Sequence, residues 1–90
     1  MTPIFGVEQV ETPPGWTVVE GRLMREWAFA DYATAKRFVD RVSEACEHLN
    51  HHADVHFGWG YAILEVVTHD VDNITERDLE LAEAINQLEG

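Results

Sequence analysis

The sequence predicts an α+β domain in the order β-β-α-β-α, with a small antiparallel sheet packed by helices on one face. Three observations carry this reading: two β-prone runs around a glycine, a long three-and-four apolar stripe after Asp31, and an apolar run followed by a helix-capping pattern. The first fourteen residues hold all three prolines, Pro3, Pro13 and Pro14, and show no sustained period, so 1–14 reads as an irregular amino-terminal arm and 15–90 as the domain.

The domain opens with WTVVE, a turn at Gly21-Arg22, and LMREWAFA, a hairpin pattern in which Leu23, Trp27 and Phe29 share one face of the second strand. Asp31 is placed to cap a helix. Phe38, Val42, Ala45 and Leu49, with Val39 and Cys46 beside them, then form its buried stripe, and the helix is expected to end near Asn50. Ala53 to Gly58 reads as a loop. WGYAILEVVT, rich in β-branched and aromatic residues, reads as a central strand covered on both faces, followed by the polar turn residues Asp72 and Asn73. Thr75 with Asp78 three residues on is a loose capping box, and Leu79, Ala82, Ile85 and Leu88 supply the apolar face of a last helix. Two helices on so small a sheet leave a face or an edge uncovered, which predicts a homodimer or homotetramer.

Composition narrows the function. A chain of 90 residues makes one domain at most, and a domain of this size buries only about 60–65% of its unfolded surface. It is 46% hydrophobic, with three Trp, four Phe and two Tyr, and so folds rather than staying disordered. A formal charge of −11 repels phosphate backbones and anionic headgroups, which argues against nucleic-acid and membrane-surface binding. One cysteine, Cys46, cannot form an internal disulfide, and there is neither a secretory amino terminus nor a long apolar run. These features predict a cytoplasmic location.

All five histidines, His48, His51, His52, His56 and His69, lie in one short stretch, flanked by Glu47 and Asp70. An imidazole near a helix carboxyl terminus interacts favourably with the macrodipole, which accounts for one or two of them without any function. HLNHH offers imidazoles at metal-ligand spacing, but the sequence lacks HExxH and its sole thiol sits on the helix stripe. Metal-free acid–base catalysis needs two or three imidazoles around a cleft, with carboxylates to set their tautomers, and the end of the helix and the end of the strand can supply them.

EHLNHHAD, Trp59, Thr-His-Asp at Thr68 to Asp70, and ITERDLELA from Ile74 resemble the signature of the pterin-4a-carbinolamine dehydratases. The likeness extends through Gly15-Trp16, Glu20 to Arg22 and Phe29 to Tyr32, and covers about Gly15 to Leu88. It implies dehydration of a 4a-hydroxytetrahydropterin to the quinonoid dihydropterin, with a pterin substrate, no cofactor and no metal. It also implies catalytic roles for His51, His52, His69 and Glu47, and substrate-binding roles for Trp16, Trp59, Thr68, Asp70, Arg77 and Asp78. His52 and His69 are expected to form the acid–base pair and His51 to orient the substrate.

The sequence departs from the family pattern in several places. Ala53 stands where the family usually has Pro, Trp59-Gly60 where it has Tyr-Asn, and Asn73 where it has Gly, in a turn that needs a left-handed residue. The family's amino-terminal helix is expected to be missing or shortened, with the proline-containing arm in its place. These changes keep a second expectation open: a dehydratase-like fold reused for binding. Precedents among relatives are a transcription-factor dimerisation cofactor and a Rubisco assembly factor of carboxysomes, which would make Rubisco the partner and the carboxysome the location.

Overall fold

A computed structural model describes residues 12–88, so most of the expected 1–14 arm lies outside the described residues. Among those described, the order is β1 (Thr17–Val19), β2 (Arg22–Ala28), α1 (Tyr32–Leu49), β3 (Asp54–Gly58), β4 (Tyr61–Val66) and α2 (Glu76–Gln87). All pairings are antiparallel and the sheet order is β1-β2-β4-β3, an α+β fold as the sequence predicts.

One strand escapes the sequence reading. The segment expected as a loop from Ala53 is β3, paired along its whole length with β4 across a turn at Trp59-Gly60. Its two apolar residues, Val55 and Phe57, alternate with Asp54 and His56, a pattern too short and too polar to register as a strand by itself. The apolar run after it is correspondingly shorter than expected, because its first two residues form the turn. Nor is β4 covered on both faces. Ala62, Leu64 and Val66 are buried, whereas Tyr61, Ile63 and Glu65 point to the side without helices.

Register decides which side chains share the core. Leu23 pairs with Val66, Arg25 with Leu64 and Trp27 with Ala62, so the inner face of β2 matches that of β4 residue for residue. Against it pack Phe38, Val39, Val42 and Cys46 from α1 and Leu81, Ala82 and Ile85 from α2. Ala45 and Leu49 lie at the margin, and Leu81 takes a central place that the expected stripe assigned to Leu79 and Leu88, both only partly buried. Phe29 sits one residue past β2 and touches the core through Phe38, with ring centroids 5.3 Å apart. Trp16 is buried edge-on to Trp27, and its indole N–H donates to Asn86 Oδ1 at 2.9 Å. Arg25 lies over the Trp27 ring at 4.7 Å, so its cation covers the rim of the inner face rather than entering it.

Local signals set the ends of the elements. Glu20 and Gly21 both take positive φ, at 51° and 79°, which places the first turn on those residues and not on Gly21-Arg22. Asp31 caps α1 by accepting from the Thr34 N–H at 2.8 Å and from its hydroxyl at 2.7 Å, and these bonds hold its carboxyl below the usual range. Asn50 ends the helix in the left-handed conformation at φ 54°. In the turn after β4 the left-handed residue is Asp72, at φ 53°, and not Asn73. Asn73 instead bridges Thr68 through its backbone and accepts the Ile74 N–H on its own Oδ1. No helix among the described residues is long and apolar enough to cross a membrane.

Leu64, fully buried at the centre of the sheet, tests this packing. Leu64→Ala is expected to lower the unfolding free energy by about 2–5 kcal/mol in urea titrations, and a loss below about 1 kcal/mol would contradict the close packing described.

Candidate active site

The left-handed turn at Asn50 sends the chain back across the end of α1, and the next residues are tied to that end. The backbone N–H groups of Asn50 and His51 both reach the Cys46 carbonyl, and the Ala53 N–H reaches the Cys46 sulfur. Burial pushes the Cys46 thiol up from its ordinary value, and the Ala53 N–H offsets part of that rise. After this turn the two adjacent histidines part company. His51 turns inward and is 9% exposed, whereas His52 faces solvent.

His51 meets Asp78, the N3 residue of α2, with Nε2 2.6 Å from Oδ1. Asp78 is fully buried, and its other oxygen accepts the Thr75 backbone N–H at 2.8 Å and the Thr68 hydroxyl at 2.7 Å. An amide N–H can only donate, so Asp78 Oδ2 is an acceptor, and His51 Nε2 meets the same carboxyl group through Oδ1. The Thr68 and Thr75 hydroxyls are themselves 2.6 Å apart, closing the network between the extension of β4 and the cap of α2. Three segments therefore converge on one side chain.

Around this centre lies an open groove of about 240 Å³ lined by Asn50, His51, His52, Thr68, His69, Asp70 and Arg77. His52 Nε2 lies 2.7 Å from Glu47 Oε2, and both groups are exposed. His69 Nε2 lies 4.0 Å from Asp54 Oδ2. Asp54 stands opposite Glu65 in the β3–β4 ladder, and Arg22 spans these like charges, 3.0 Å from Glu65 and 3.9 Å from Asp54. Arg77 donates to the Asn50 carbonyl at 2.8 Å, pinning α2 to the turn that aims the two histidines. The groove thus joins a buried, anchored imidazole to two water-facing ones, an arrangement able to orient a polar heterocycle and move protons on it.

Of the residues singled out in the sequence, His51, His52, His69, Thr68, Asp70 and Arg77 line this groove, while Asp78 supports it from behind and Glu47 from the side. Two lie elsewhere. Trp16 belongs to the core, and Trp59 is 73% exposed at the β3–β4 turn, at the far end of β4 from Thr68. His48 is exposed on α1, and His56 sits on the helix-free face of the sheet. Asp54, Asn50 and Thr75 were missed as site residues. Asp54 carried no signal once β3 read as a loop, whereas Thr75 was visible as a cap. Among the described residues no three His, Cys, Asp or Glu side chains converge on a point that could hold a metal ion.

The buried network predicts an asymmetry between neighbouring positions. Asp78→Ala strands the Thr75 N–H and the His51 ring together, and its cost is expected to reach about 3 kcal/mol or more. His52→Ala removes an exposed group and is expected to stay within about 0.5 kcal/mol. Equal losses in denaturant titrations would contradict the geometry.

The sequence pattern of the family described as Pterin 4 alpha carbinolamine dehydratase matches residues 7–88. A protein of Prochlorococcus marinus (strain MIT 9313) named "Putative pterin-4-alpha-carbinolamine dehydratase" is 43% identical over 79 residues, which span 88% of this chain and 82% of that protein. One of the same name from Rubrobacter xylanophilus is 45% identical over 76 residues, 83% of this chain and 71% of its own. Among solved structures, a transcriptional coactivator/pterin dehydratase from Brucella melitensis superposes with a TM-score of 0.79 at 26% identity, covering 86% of this chain and 84% of that one. A pterin dehydratase-like protein identified as a RuBisCO assembly factor in the alpha-carboxysome superposes at 0.67 with 21% identity, over 83% and 87% of the two chains, a likeness of fold alone. With the match running through nearly the whole described chain, this protein belongs to the pterin-4-alpha-carbinolamine dehydratase family.

Proposed function

We propose that this protein is a hydro-lyase that dehydrates a 4a-hydroxytetrahydropterin to the quinonoid dihydropterin. The observation that carries the reading is the single groove lined by His51, His52 and His69, in which one imidazole is anchored from behind and two remain open to water. In the reaction the C4a hydroxyl leaves as water after accepting a proton, and the proton on the adjacent ring nitrogen, N5, is removed. One group must donate and another accept. His52 and His69 are the pair in a position to do this, since both line the groove and neither is locked into the buried network.

His51 has a different part. Held through Nε2 on Asp78, it presents a fixed ring to the groove and serves as a positioning group for the substrate. Thr68, Asp70 and Arg77 complete the polar lining and bind the pterin's amide and amino edge. At about 240 Å³ the groove is smaller than the ~300–1,000 Å³ of drug-sized ligand sites, in keeping with a small heterocycle held at an open surface.

A second reading, that the fold serves as a binding protein for a partner such as Rubisco, is favoured by the solvent-facing Trp59 at the turn remote from the groove. Turnover separates the two. A purified protein that accelerates loss of a 4a-hydroxytetrahydropterin, with His52→Ala or His69→Ala slowing it by about a hundredfold or more, is the outcome expected of the enzyme. No acceleration by the intact wild type would reject the enzyme reading. A stable partner complex that survives both substitutions and is lost on Trp59→Ala would then favour the binding role.

A further inference from the structure

At the opposite end of the helix pair from the histidines lies a second groove, of about 420 Å³, lined by Trp27, Phe29, Arg37, Phe38, Arg41 and Leu88, with Ala28 and Thr34 completing its wall. Arg77 and Leu88 are eleven residues apart along α2, or about 17 Å at helical rise, so the two grooves are separate sites.

Three features mark the second groove. Its floor is aromatic: Phe38 lies 4.8 Å from Trp27 and 5.3 Å from Phe29 between ring centroids, both tilted. Its wall carries two guanidinium groups one helical turn apart, on a chain that has only six Lys and Arg against seventeen Asp and Glu. Arg37 is partly engaged, by the Thr34 hydroxyl at 3.3 Å and by the field of Asp31. Arg41 makes no hydrogen bond or ion pair among the described residues. Lastly, Trp27, 8% exposed, has an indole N–H buried without an acceptor among the described residues. A buried donor without a partner is destabilising and rare in a native fold.

We infer that this groove binds a small aromatic carboxylate, whose ring packs on Phe29, Phe38 and Trp27 and whose carboxylate pairs with Arg41 and Arg37. The planar guanidinium fork suits a carboxylate in two-point contact, and aromatic edges favour a ring over an aliphatic body of equal area. The protein's negative charge works against any anion at long range, so an anion held here owes its binding to these local groups.

The probe is 3-phenylpropionate, read on the indole N–H resonance of Trp27 in ¹⁵N-labelled protein, with Trp59 as an exposed control. A saturable shift at Trp27 and none at Trp59 is expected, at a Kd in roughly the millimolar range for a ligand of this size. Arg41→Gln is expected to weaken it about tenfold while leaving pterin turnover unchanged, and Arg37→Gln to weaken it less. Failure of the Trp27 resonance to move, an equal response to the neutral 3-phenylpropanol, or binding untouched by Arg41→Gln would each overturn the inference. A shift of that resonance on diluting the protein alone would place a second copy of the chain in the groove, and would overturn it too.

Discussion

A carboxylate without solvent holds this structure in register. Asp78 has no exposed surface, and an ionised carboxylate out of water is tolerated only when its lone pairs are met. They are met from three directions: by its own helix cap at Thr75, by Thr68 beyond β4, and by His51 beyond α1. Each partner belongs to a different segment, so satisfying the charge fixes how α2, the sheet and the turn after α1 meet. The hydrophobic core alone would leave sliding room along the helix axes, since Leu, Ile and Val contacts are not directional. Hydrogen bonds of 2.6 to 2.8 Å leave none.

The same residue links fold to chemistry. A cap that stabilises α2 also orients an imidazole at the groove, so the position cannot be changed for one purpose without affecting the other. His52 and His69 are built the opposite way, with carboxylates beside them but water around them. The groove therefore combines one buried, anchored imidazole with two exposed ones.

Much of this was legible in the sequence, for identifiable reasons. Asp31, Asn50 and the Thr75–Asp78 pair announce helix ends because capping is local chemistry, decided within four residues. The long stripe of α1 was plain because eighteen residues give several helical turns of repeat. β3 was hidden because a five-residue edge strand owes its existence to β4, a partner the sequence does not display. The site divides along the same line. The histidines could be seen as a cluster, but that adjacent His51 and His52 would face opposite ways, and that Asp78 would meet the first of them rather than decorate a helix, depends on contacts across 27 positions. Trp16 and Trp59 show the converse: their places, in the core and at a turn away from the groove, also depend on tertiary contacts.

The bond from Ala53 to Cys46 shows how a proline can be given up. Where relatives by resemblance fix the chain after the paired histidines with a ring, this chain fixes it with a donor that only a non-proline residue has, aimed at a sulfur one turn back from the end of α1. The two positions are therefore coupled. Proline at 53 would leave the thiol without its donor, and loss of the thiol would leave an amide at 53 without its acceptor. A change to proline at 53 would exchange one anchor for the other, beside the histidines themselves.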